Sequence, residues 1–80
     1  MPIKDNMLRR LVRREFIRRH VDSSLVEVQV VASVAYLAGP LRPIREDPVD
    51  LKEEIQTLEQ LIRAIPGIRD VVNELEVEKW

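Results

Sequence analysis

The chain contains no cysteine, which removes a disulfide framework, a thiolate nucleophile and a Cys-type metal site at once and fits a reducing compartment. Histidine is nearly as scarce. His20 is the only one, and it reads as a solvent-facing residue near a helix end. Ser23-Ser24 sits in no nucleophile motif, so catalysis has little to stand on. There are only two glycines, Gly39 and Gly67, and the Gly-x-x-Gly loop with which a KH module grips phosphate is therefore missing. No run approaches the roughly 18 apolar residues of a membrane span. Residues 7–20 mix leucine and valine with six arginines, which is not the apolar core of a signal peptide.

What is present is charge, unevenly placed. The 80 residues carry a net charge of −1, yet residues 1–24 sum to +4 and residues 25–80 to −5. A two-sided molecule of this kind suggests partner recognition, including recognition of another copy of itself. The length implies one domain, residues 1–80, burying only about 60% of the surface its unfolded chain exposes. Modest stability is expected, part of it supplied by partners.

Asp5 or Asn6 is placed to cap a first helix running to about Arg19. Its wheel puts Met7, Leu8, Leu11, Val12 and Phe16 on one half and Arg9, Arg10, Arg13 and Arg14 on the other. Ile17 lands on the basic side and Glu15 on the apolar side, which suggests a slanted helix or an Ile17 that touches a partner. His20 to Ser24 reads as a loop. Val26, Val28 and Val30 then alternate with polar residues as a half-buried strand does, and a second strand follows from Val34 to Leu41. Only Ala32-Ser33 separates the two, a hairpin turn of residues that tolerate positive φ poorly. The strands must set the register.

Pro40, Pro43 and Pro48 punctuate what comes next, so the second strand is expected to lose ladder pairing near Pro40 and become a stiff loop over 40–47. Asp47-Pro48 and Asp50-x-x-Glu53 are two start signals for a second helix. Leu51, Ile55, Leu58, Ile62 and Ile65, with Leu61 beside them, form its apolar stripe, and Glu53, Glu54, Gln56, Glu59, Gln60 and Arg63 its wet face. The three glutamates follow the pattern of a solvated face, with no EF-hand spacing that would indicate metal. Pro66-Gly67 stops the helix, and the chain switches at once to a closing strand, Val71, Asn73, Leu75 and Val77 alternating with Val72, Glu74, Glu76 and Glu78.

The order is α-β-β-α-β. It implies an α+β two-layer sandwich, a three-stranded mixed sheet with both helices on one face. A right-handed crossover would set the third strand parallel to the second, beside the first strand, leaving the second strand at an edge.

Three short motifs in this order carry a resemblance: Leu37-Ala38-Gly39 in the strand pair, Ile65-Pro66-Gly67-Ile68 at the helix stop, and Val71-Val72-Asn73-x-Leu75-x-Val77 in the closing strand. Together they resemble the BON domain, a small αββαβ module of bacterial envelope and related proteins, over residues 5–77. The chain departs from the family where Ser33 stands in place of a usual hairpin glycine, and where 40–47 is longer and richer in proline. The resemblance implies no enzyme activity and no cofactor. It implies binding of membrane phospholipids or association within larger proteins, and similar modules build rings in secretion systems. Gly39, Pro66, Gly67 and Asn73 map onto motif positions and read as structural, with Asn73 hydrogen-bonding near the crossover turn.

Two surfaces remain as candidates. Arg9, Arg10, Arg13 and Arg14 form a basic face that repels itself unless acids or an anionic partner lie close. Peripheral docking on anionic lipid headgroups suits it better than insertion, because the apolar half of the helix is needed for the core. Nucleic acid is the third and least favoured partner. The second surface is the sheet face away from the helices, with Glu27, Gln29 and Val31, then Val34, Tyr36 and Ala38, then Val72, Glu74, Glu76 and Glu78. Self-assembly or docking to a partner protein is the expected activity, with Trp80 placed to cover an edge. The expected location is cytoplasmic for the chain as written, and periplasmic or envelope for a domain cut from a longer protein.

Overall fold

The computed structural model describes residues 3–19, 21–43 and 50–77. Helix α1 (Ile3–Ile17) leads to a two-residue strand β1 (Val21–Asp22), then β2 (Glu27–Val31), β3 (Val34–Pro43), helix α2 (Leu51–Arg63) and β4 (Asp70–Val77). The α+β sandwich and the mixed sheet are those expected, with one short strand more, because Val21 and Asp22 pair with Pro43 and Arg42 where a loop was expected. His20, the Asp47-Pro48 signal, residues 44–49 of the proline-rich segment, Glu78 and Trp80 lie outside the described residues.

The strand order differs from expectation. β3 is central, antiparallel to β1 and β2 and parallel to β4, so β4 is an edge and β1 and β2 pair with nothing beyond β3. The reason lies in α1. In the hairpin, Glu27, Gln29 and Val31 face β3 partners, which turns the carbonyls of Val26 and Val28 outward. Arg13 Nη2 donates to the first and Arg9 Nε to the second, each at 3.0 Å. With its outer edge occupied, β2 leaves only the far side of β3 for the returning strand.

Pairing does not stop at Pro40 either. Gly39 and Leu41 are the neighbours of Leu75 and Val77, whereas residues of Pro40's parity bond towards β2, which ends opposite Ala38. The missing N–H of Pro40 therefore breaks no ladder bond. The registers of β1 and β2 along β3 differ by one residue, so the segment between them bulges past Gly39. Gly39 has φ +111°, and a Cβ there would meet the Leu25 carbonyl oxygen at 2.6 Å.

The core lies between the sheet and the helices. Leu8, Val12 and Phe16 of α1 meet Val28, Val30, Ala35, Leu37 and Leu41, and Leu51, Leu58 and Ile62 of α2 close the other end. Leu11, Ile55 and Ile65 are only half-buried, Leu61 is exposed and Met7 is 59% exposed, so the apolar stripes are narrower than the wheels suggest. Helix α1 begins at Ile3, which puts Asp5 in the first turn, not at the cap, where its charge still suits the positive helix end. Asp50 caps α2, accepting from the N–H groups of Lys52 and Glu53 at 3.0 and 3.3 Å. Helix α2 ends at Arg63, ahead of the proline. Pro66 and Gly67 form a separate turn, closed by the Ile68 N–H on the Ile65 carbonyl, in which Gly67 takes φ +101°.

Candidate functional site

An uncovered sheet face and a basic helix face stand on opposite layers of the molecule. Residues paired across the sheet share a side, so Ala35, Leu37 and Val71 point to the helices and their neighbours point away. The outward rows are Val31-Val34-Asp70, Gln29-Tyr36-Val72 and Glu27-Ala38-Glu74, with Pro40 beside Glu76. This brings together Val34, Tyr36, Val72, Glu74 and Glu76. An apolar stripe follows β3, with Tyr36 44% and Val31 50% exposed, and carboxylates stand on both flanks. No described residue covers it.

Both edges of the sheet are closed by side chains. Arg9 and Arg13 take the outward carbonyls of β2. On β4 the Asp70 carboxylate accepts from the Val71 N–H at 2.8 Å, and Asn73 Oδ1 accepts from the Leu75 N–H at 3.0 Å. Asn73 also donates to Glu59 at 3.2 Å, so it ties β4 to the middle of α2 and lies away from the crossover turn. Edge strands protected in this way resist adding a further strand.

Of the four arginines of the basic face, Arg10 and Arg14 point to solvent while Arg9 and Arg13 are held against β2. Asn6, Arg9, Arg10 and Arg13 line a shallow open depression. Each held guanidinium commits one of its five donors to a carbonyl and keeps its charge. Among the described residues none of the four has a carboxylate partner, and neither Glu27, Glu74 nor Glu76 has a cationic one. Ile17, 77% exposed, continues this arginine side of α1 by one turn beyond Arg13.

Several of the remaining acids are engaged. Glu54 holds Arg19 through two bonds of 2.8 and 2.9 Å, tying the segment just after α1 to α2 and raising the guanidinium's pKa above its ordinary value. Asp70 accepts from Val71 and from Arg63, in that order of weight, and its carboxyl titrates below the ordinary aspartate value. Asp22 is lowered by hydrogen bonds from Ser24. Glu59 is shared by Arg63 and Asn73, so Glu54 and Glu59 of α2 both serve as ties between elements. Sequence reasoning missed the edge-closing role of Arg9 and Arg13. Their spacing gave a helix face but no sign of the strand beside it.

Among the described residues no helix is long and apolar enough to cross a membrane. The BON domain family model matches residues 48–79, two fifths of the chain, which take in α2, the Pro66-Gly67 turn and β4. No curated protein and no solved structure gives a significant match.

Proposed function

From the BON-domain match over residues 48–79, a family of binding modules without catalytic chemistry, we propose that the chain is an association domain that binds through its uncovered sheet face, self-assembly being its principal mode. The observation that carries this reading is the pairing of a bare apolar stripe on β3 with edges already closed. Association by strand addition is disfavoured at β2 and β4, so a partner gains most by covering Val34, Tyr36 and Val72. Mass measurement in solution across concentration and salt tests it. Assembly that grows with concentration and weakens with salt is expected, and a strict monomer at high concentration and low salt overturns it.

The unneutralised arginines support a second reading, peripheral docking on anionic phospholipid. Leu8, Val12 and Phe16 are at most 4% exposed, so α1 cannot insert without unpacking the core. Arg10 and Arg14, whose side chains make no bond among the described residues, are the informative pair. Arg10→Gln with Arg14→Gln is expected to abolish cosedimentation with anionic vesicles at low salt, and retention of binding sinks the lipid reading.

A further inference from the structure

We propose that the partner of the sheet face is helix α1 of a second copy, lying antiparallel along β4 in a head-to-tail contact. The inference rests on the association reading above and names its partner. Along the arginine side of α1, Arg9, Arg13 and Ile17 follow at four-residue steps, about 6 Å each on a helix. Along the outer side of β4, Glu76, Glu74 and Val72 follow at two-residue steps, about 6.7 Å each on a strand. The two series read base, base, apolar against acid, acid, apolar at matching intervals, and side-chain reach absorbs the difference. Arg9 then meets Glu76, Arg13 meets Glu74, and Ile17 meets Val72 with Tyr36 beside it in the next strand.

Three observations favour this occupant over a second sheet face. Two like faces bring Glu27, Glu74 and Glu76 against their own copies, a repulsion that the α1 contact replaces with attraction. The hydrogen bonds to β2 fix Arg9 and Arg13 before any partner arrives, so little side-chain entropy remains to be lost there. The contact also gives Ile17 the apolar neighbour it lacks. Because α1 and the outer sheet face lie on opposite layers, each copy keeps one of each surface free, and the contact repeats into a ring or a filament.

The test uses two exposed or half-buried positions away from the core. Ile17→Glu buries a carboxylate against Val72, one step from Glu74, and Val72→Lys buries an ammonium against Ile17, one step from Arg13. Each variant alone is expected to associate about tenfold more weakly than the wild type. An equimolar mixture is expected to recover to about wild-type strength, because helices carrying Ile17→Glu meet sheet faces carrying Val72→Lys and the other contact is unaltered. Circular dichroism melts confirm that each variant folds, and Tyr36→Lys, which stands beside Val72 in the next strand, replaces Val72→Lys if the latter does not. Unchanged assembly of Ile17→Glu overturns the α1 contact while leaving the sheet-face reading standing. Failure of the mixture to recover overturns it also. A wild type that never associates overturns both readings.

Discussion

Ala32 and Ser33 turn the β2–β3 hairpin with φ +50° and +66°, a pair of left-handed residues that carry side chains. That conformation costs roughly 1–2 kcal/mol per L-residue where glycine is nearly free of it. The turn persists because the paired strands impose it, and because the Ser33 carbonyl accepts from the Arg69 N–H at 2.9 Å, linking the hairpin to the start of β4. Ser33→Gly keeps that carbonyl and relieves the strain. Stabilisation of about 1 kcal/mol is expected in denaturant melts, and a loss of stability would show that the serine is not strained. Gly39 behaves in the opposite sense. Gly39→Ala adds a Cβ at φ +111° against the Leu25 backbone, and a loss on the order of 2 kcal/mol or more is expected because backbone cannot step aside as a flexible side chain can.

Among the elements, β4 has an attachment that is expected to depend on pH. Its first residue, Asp70, is held below the ordinary aspartate range by the Val71 N–H and then by Arg63 of α2. A carboxyl depressed on folding binds protons more readily in the unfolded chain, so its contribution is complete above the ordinary aspartate range and lost as pH falls through it towards the folded value. Asp70→Asn is therefore expected to flatten the acid limb of the stability profile, measured by melts between neutral and strongly acidic pH. An acid limb as steep as the wild type's would remove Asp70 from the account. The element-level organisation also shows what could be read without coordinates. Alternation placed Val34, Tyr36, Val72, Glu74 and Glu76 on one face, because strand period depends only on neighbours in sequence. The capping of α2 by Asp50 was equally local. The central place of β3 was not legible, since it turns on Arg9 reaching a carbonyl 19 residues away. Nor was the exposure of Met7, because a wheel gives a side chain's angle but not how far the sheet beneath extends.

At the scale of the molecule, a sheet covered on one side only leaves the apolar stripe of β3 unpacked in a domain whose size already limits its core. If assembly covers that stripe, folding and association are linked: a partner that binds only the folded form stabilises it by mass action. At a protein concentration about 100 times the dissociation constant this amounts to about 2.7 kcal/mol, which for a domain of this length moves the melting midpoint by roughly 10 °C or more. The midpoint is therefore expected to rise with protein concentration, and to rise less in high salt, where the pairing of arginine with glutamate is screened. Tyr36→Glu supplies the control. Tyr36 is 44% exposed on the outer face and contributes nothing to the core between sheet and helices, so its loss leaves the dilute-limit midpoint nearly unchanged. Its new charge, among Glu27 and Glu74 on a face that must be desolvated to bind, is expected to abolish the concentration dependence. A wild-type midpoint independent of concentration would mean that the uncovered face is stable in water as it stands, and the link between folding and assembly would then be lost.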